Sequence, residues 1–328
     1  MKERAVERDY LFNSFFMKTR KCYNGIINHC YQRPEEKGVL FYSVSDFLVF
    51  FTIFCVVASK HQVIVLKLVQ MPDHIHHATI ELRKGELSKF VSEYSSQYAR
   101  AFNTVCRRTG SLFEHPYQSV PKYGDKKART ILLYLDNNPV ERRLVQRAEE
   151  YRWNYLAYAN SDHPFSEKII LRKASMPLRR ALERVKAQHK SGLPMSYPLL
   201  QHLFKSLPND TERNQLTDFI VSTYSVIDHK GAIRFFDSYE QELIAAHANT
   251  GSEYDLNEVF IGKSDLCYNQ MSRVLHQNGI IQDIHEIISM PPSQKQDLFQ
   301  LLRAETFAPA EQIAAFLHMP LTRVEITG

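Results

Sequence analysis

Phe47-Leu-Val-Phe-Phe-Thr-Ile-Phe-Cys-Val-Val-Ala58 is the stretch that most limits what this chain can fold into. It is too apolar for a solvated surface. At about twelve residues it falls short of the ~20 that a membrane-spanning helix needs. It lies too deep in the chain for a secretory signal, and the first residues, MKERAVERDY, hold no apolar h-region. It is expected to be a helix buried inside a core, with other layers built around it. The chain can supply them: 44% of its 328 residues are hydrophobic and 23% charged. That length suggests two domains, or one with a substantial extension. With Gly 11 and Pro 14, collagen-like and linker-dominated architectures are excluded.

Cys22, Cys30, Cys55, Cys106 and Cys267 are odd in number, widely spaced and without a CxxC pair. A disulfide framework or thiolate zinc site is not expected, which favours a reducing cytoplasm. The formal net charge of +5 hides a division. Residues 1–190 hold 32 Lys and Arg against 19 Asp and Glu, whereas the remaining 138 hold 9 against 17. A front part this basic is the footprint of a polyanion binder, with a lysine-rich solvated surface as the plainer alternative. The acidic rear would be repelled by phosphate.

Period and punctuation give the elements. Gly25–Gln32 reads as a strand, 44–60 as a helix entered through Ser43–Ser45, and Val63–Leu68 as a buried strand. Met71-Pro72-Asp73 follows, and then the strand-like His74–Ile80. Residues 86–107 are an amphipathic helix, with Leu87, Phe90, Val91, Tyr94, Tyr98, Phe102 and Val105 on one face. Residues 111–122 are loop or short strand, and 126–138 a helix ended by Pro139. The order implies an α+β fold, a small sheet covered by helices. The aromatic run 151–165 closes this part. Residues 168–190 are basic and helical from Pro177, Gly192, Pro194 and Pro198 mark a boundary, and 199–328 read mostly as helix.

Two motifs carry chemistry. In Pro72-Asp73-His74-Ile75-His76 the period of a strand turns His74 and His76 to one face and Ile75 to the other. Two imidazoles so placed begin a divalent metal site, although taken alone they are more often a surface pair. His77 faces the opposite way and is expected to be structural. In Tyr134-Leu-Asp-Asn-Asn-Pro139-Val, Tyr134 and Asn138 share a helix face. A tyrosine beside a metal can attack a phosphodiester, and an asparagine carbonyl oxygen can complete the metal shell. A core tyrosine followed by an Asn-Pro stop is the bland alternative.

MPDHIHH, the later YLDNNPV and Tyr-Arg-Trp-Asn-Tyr at 151–155, in that order, resemble the IS200-like single-tyrosine (Y1) HUH transposases, in particular their REP-associated branch. The Asn-His-Cys-Tyr-Gln-Arg segment at 28–33 and the Gly110-Ser-Leu-Phe and Tyr117-Gln-Ser segments fit the same likeness, which spans about residues 22–160. The resemblance implies a small antiparallel sheet of HUH type, ferredoxin-like or RRM-like, covered by helices. It implies His74, His76 and Asn138 as ligands of Mg²⁺ or Mn²⁺, and Tyr134 as the nucleophile that cleaves single-stranded DNA through a 5′-phosphotyrosine. Single-stranded or hairpin DNA and a homodimer are the implied partners. No GxxxxGK[ST] loop is present, so a nucleotide cofactor is not expected. Asp136-Asn137 depart from the pattern, standing where apolar or mixed residues are usual, and so does His77.

DNA contacts are expected as a group from Lys122, Lys126, Lys127 and Arg129 before Tyr134, from Arg142 and Arg143 after it, and from a second patch including Arg179 and Arg180. Phe113, Tyr117 and Tyr123 could stack on unpaired bases. The expected division is a catalytic domain over 1–165, a basic helical linker over 166–192 and a helical domain over 193–328. A helix-turn-helix is considered at 306–324, with Thr322 and Arg323 as its contacts; an acidic hairpin for oligomerisation is the equal alternative. His229, His276 and His285 are expected to be structural. The expected location is cytoplasmic, with the nucleoid. The competing functions are a non-catalytic DNA-binding regulator on the same fold and an unrelated HxH metal hydrolase in which Tyr134 only packs.

Overall fold

The computed structural model describes residues 25–35, 38–114, 117–248 and 264–320. Four strands, β1 (Ile27–Gln32), β2 (Val63–Met71), β3 (His74–Glu81) and β4 (Gln118–Lys122), form one antiparallel sheet in the order β2-β3-β1-β4. The alternation expected over His74–Ile80 is therefore a strand next to the sheet's middle, where register decides which face each side chain meets. Tyr31 stands opposite His76, and Val69 opposite His76 on the other flank.

One face is covered by α1 (Val44–Ala58) and α2 (Glu86–Val105). Cys30, Val65, Leu68 and Ile75 of the strands join Phe50, Phe54, Phe90 and Tyr94 in one apolar cluster. Every residue of α1 from Asp46 onwards is buried, as a helix apolar all round must be. Its start is a capping box: the Ser43 hydroxyl accepts from the Asp46 amide, and Asp46 Oδ2 accepts from the Ser43 amide at 2.8 Å. Trp153 stacks on Phe47 and Tyr155 on Phe51, with ring centroids 4.5 Å apart in each pair. The aromatic run after residue 150 thus closes over α1.

The other face carries α3 (Gly124–Glu141), which packs Ile131, Leu132 and Leu135 on Ile27, Val69 and Ala78. Pro139 does not end this helix; it lies within it. In the last turn its missing N–H removes one bond, and the Arg142 amide still closes on the Asn138 carbonyl at 3.0 Å.

The basic stretch forms α4 (Met176–Lys190), which packs with α5 (Tyr197–Ser206) and α6 (Asp210–Tyr224) beside α1. The chain then crosses to the other side of the sheet. Ile227 bridges to Val65 at the β2 edge, and α7 (His229–Ile233) and α8 (Tyr239–Ala248) lie against β2 and α3. The remaining helices, α9 (Leu266–Gln277), α10 (Glu286–Ser289), α11 (Pro292–Glu305) and α12 (Ala310–Leu317), build a second apolar cluster that includes Val39 from the segment before α1. The first half of the considered helix-turn-helix is α12, buried from Gln312 to Leu317; Thr322 and Arg323 lie outside the described residues. Among the described residues no helix is long and apolar enough to cross a membrane.

A buried polar cluster ties the rear helices to α1. Asp46 Oδ1 accepts from the Tyr197 hydroxyl at 2.7 Å and meets His285 Nε2 at 2.8 Å, while His285 Nδ1 meets Asp283 at 2.6 Å. Burial opposes the charged imidazole, but Asp46 and Asp283 outweigh it and raise its pKa from 6.5 to about 10. This contribution to stability is complete below pH 6.5 and is lost as the pH rises through about 10. His285→Ala is expected to cost about 3–5 kcal/mol near neutral pH by leaving the buried Asp46 carboxylate without its cationic partner. In thermal melts the gap between wild type and variant should narrow towards pH 10; a gap independent of pH contradicts the ion pair.

Candidate active site

The site forms where β3 faces α3. His74 and His76 point to the α3 side, are wholly buried, and have ring centroids 4.9 Å apart. Tyr134, 3% exposed, and the buried Asn138 reach them from α3. Asn138 Nδ2 donates to the Tyr134 hydroxyl at 3.1 Å, and Asn138 Oδ1 lies 3.2 Å from His74 Nε2. The Tyr134 ring stands edge-on to His76, with centroids 5.5 Å apart. The helix and the strand that the sequence singles out separately are therefore in contact. Their meeting follows from two periods: Tyr134 and Asn138 are one turn apart, and His74 and His76 are two strand residues apart.

Three further side chains orient the histidines. Asp73 Oδ1 lies 2.5 Å from His74 Nδ1. Burial opposes the Asp73 carboxylate, yet His74, Arg142 and Arg33 together hold its pKa below the usual value. An ionised Asp73 needs a donor, which fixes the proton on His74 Nδ1. His29 Nε2 meets His76 Nδ1 at 2.9 Å, and Tyr31 stacks on His76 with centroids 4.8 Å apart. His29 and Tyr31 were not singled out by the sequence. Their signal is the same alternation in β1, but it becomes legible only once the register sets Tyr31 opposite His76.

His77 lies on the other face, with Nδ1 2.7 Å from Thr79 Oγ1 and Nε2 3.1 Å from the Tyr94 hydroxyl. Burial, with a smaller push from His76, lowers its pKa to about 3. It is a neutral core histidine.

Among the described residues no group of three or more His, Cys, Asp and Glu side chains is arranged to hold a metal ion. The donor set here is instead two imidazoles and an amide oxygen. A neutral His74 with its proton on Nδ1 would set its Nε2 lone pair against the Asn138 oxygen, another acceptor, at 3.2 Å, whereas an imidazolium would donate to it. Two acceptors so close need a proton or a cation between them. Imidazole nitrogen with carbonyl oxygen is a set that divalent cations accept, so the residues fit the ion that the resemblance implies.

The basic residues divide. Lys126, Lys127 and Arg129 are exposed at the start of α3, Lys122 is half-buried on β4, and Arg143 is exposed just past the helix. Arg142 corrects the expectation. It is 4% exposed, and its guanidinium is held by Asp265 through Nε at 3.0 Å and Nη2 at 2.5 Å, so it joins α3 to α9 and does not face solvent. Arg180 is exposed, while Arg179 is tied to the carbonyls of Ala174 and Arg172. Both lie on α4, in the layer across the sheet from Tyr134. Phe113 and Tyr117 are buried in the core and cannot stack on bases, leaving Tyr123, 45% exposed.

If His74, His76 and Asn138 hold a cation, Mn²⁺ at hundredfold excess over Kd should stabilise the wild-type fold by ~2–3 kcal/mol and raise its melting temperature. His76→Ala should abolish the rise. An equal rise in both proteins would place the ion elsewhere.

No curated protein matches the sequence significantly. A solved structure described as a REP-associated tyrosine transposase bound to a REP hairpin is similar at 13% identity and a TM-score of 0.38, covering 46% of this chain and 96% of that one. Residues 24–138 match the family model described as "Transposase IS200 like". That segment runs from the turn before β1 to Asn138, and over it this chain is similar to the IS200-like transposases.

Proposed function

We propose that this protein cleaves and rejoins single-stranded DNA by transesterification, with Tyr134 as nucleophile. The observation that carries the reading is that Asn138 bridges Tyr134 and His74, with Tyr134 edge-on to His76, inside a segment matched by the transposase family model. In the proposed reaction the Tyr134 oxygen forms a bond to the scissile phosphorus and the bond from phosphorus to the 3′ oxygen breaks. The phenol proton is lost, and the leaving oxygen takes up a proton to become a free 3′-OH. The DNA 5′ end remains on Tyr134 as a phosphotyrosine. Attack by another 3′-OH reverses the step and joins strands. One phosphodiester replaces another, so no nucleotide triphosphate is required.

A phenol's ordinary pKa is near ~10, so it needs help at neutral pH. Mg²⁺ or Mn²⁺ held by His74, His76 and Asn138 would supply Lewis acidity at the phosphate. Asn138 has two roles in this reading: its amide nitrogen holds the Tyr134 hydroxyl, and its oxygen, beside His74 Nε2, would help hold the ion. Asp73 and His29 fix the imidazoles so that little reorganisation accompanies the reaction. Lys126, Lys127 and Arg129 would track the strand near Tyr134, with Lys122 and Arg143 flanking them. Arg180 and the basic face of α4 would meet a separate length of DNA, such as the stem of a hairpin. A homodimer and the division at 165 and 192 belong to the same proposal.

The test is an oligonucleotide nicking assay with Mn²⁺, resolved on denaturing gels. Wild type should give a covalent protein–DNA band and a free 3′-OH. Tyr134→Phe and His76→Ala should each reduce the band at least ~10³-fold. Binding with no band in any protein would leave a DNA-binding regulator. Cleavage that survives Tyr134→Phe would mean hydrolysis at a metal with Tyr134 as packing.

A further inference from the structure

Asp136 and Asn137 depart from the transposase pattern although they sit between Tyr134 and Asn138, and the structure gives them a partner. Lys67 of β2 places its Nζ 2.6 Å from Asp136 Oδ1 and 2.9 Å from Glu242 Oε1 of α8. All three are buried, at 2%, 0% and 1% exposure. Asn137 Nδ2 donates to the Ala246 carbonyl of α8 at 2.8 Å. Ala232, Phe236 and Ala246 complete the apolar contact with Ile131, Leu132 and Leu135, and the Arg129 guanidinium lies over the Phe236 ring at 5.1 Å. At the far end of α3, Asp265 takes the Arg142 side chain while its amide donates to the Arg142 carbonyl at 3.0 Å. The tyrosine helix is therefore gripped near its start, middle and end by elements that follow residue 228. That part of the chain lies outside the family match.

We propose that α8 and Asp265 clamp the Tyr134 helix, so that the C-terminal helices set the position of the nucleophile against the histidine strand, with Glu242 and Asp265 as positioning residues. The inference rests on Tyr134 being the nucleophile, as proposed above. Burial makes the grip strong: a charged contact in a low-dielectric interior leaves an unsatisfied partner when broken. The clamp acts on one helix, because Lys67 anchors it to β2, the strand paired with β3. Tyr134 then keeps its approach to His76, and Asn138 its approach to His74, only while α8 is docked. The acidic rear part, which would be repelled by DNA, thus acts on the chemistry without touching the strand.

Glu242→Ala tests the clamp and should fold, because Lys67 and Asp136 remain as a one-to-one pair. Hydrogen exchange measures helix α3 whether or not the protein cleaves DNA. Amides of 128–141 should exchange roughly tenfold faster, the loss of one charge-assisted contact, with α1 and α2 unchanged. Adduct formation at saturating oligonucleotide should slow by a similar factor, while oligonucleotide Kd stays the same. Glu242→Gln, which keeps an oxygen for Lys67, should restore most of both. Asp265→Asn should loosen 139–144 in the same way. Unchanged exchange in α3, or exchange that rises equally in α1, overturns the clamp. So does a loosened α3 with an unchanged rate of adduct formation. If wild type forms no adduct, the transposase reading falls, and the exchange data still decide whether α8 holds α3.

Discussion

The structure depends on one face of a small sheet being polar where it is buried. Strand β3 turns His74 and His76 towards α3, and the helix answers with Tyr134 and Asn138 instead of apolar side chains. A buried polar meeting of this kind is tolerated only when the groups satisfy each other. Asp73, His29 and Tyr31 complete that requirement from the adjoining turn and strand. The opposite face is mostly apolar, with one satisfied polar network of Gln32, His77, Tyr94 and Ser95. There α1 and α2 bury ordinary apolar and aromatic side chains, and His77 is kept neutral among them. The two faces divide the labour: one supplies cohesion, and the other holds the groups for which chemistry is proposed.

The rear part of the chain is joined to the front through buried charge as well as apolar packing. His285 reaches Asp46 at the start of α1, Glu242 reaches Lys67 and Asp136, and Asp265 reaches Arg142. Each pair spans distant sequence, and each joins a rear residue to an element that frames the site. Such pairs are poor sources of net stability but costly to break singly. They therefore fix geometry more than they add cohesion, which suits helices whose proposed role is to hold the tyrosine in place.

Much of this was legible in residue order. The run 47–58 had to be a core helix, and the period of two over His74–His76 and of four over Tyr134–Asn138 gave the two halves of the site. Their contact was not legible from spacing, because sixty residues and a helix on the other face separate them; only the family likeness joined them. His29 and Tyr31 needed the β1–β3 register. Arg142 looked like a DNA contact because a basic residue's surroundings cannot be read from its neighbours. Its partner Asp265 lies far along the chain. Pro139 looked like a stop because proline ends helices more often than it occupies their last turn. The departures at Asp136 and Asn137 made sense only when α8 was in view.

The most direct measurement of the account is which tyrosine, if any, carries DNA. The chain has 17, and proteolysis of protein trapped on a hairpin oligonucleotide, followed by mass spectrometry, distinguishes them. The account predicts a nucleotide 5′-phosphate on the peptide containing Tyr134 and on no other. A nucleotide on a different tyrosine, or cleaved DNA with every tyrosine unmodified, would contradict it.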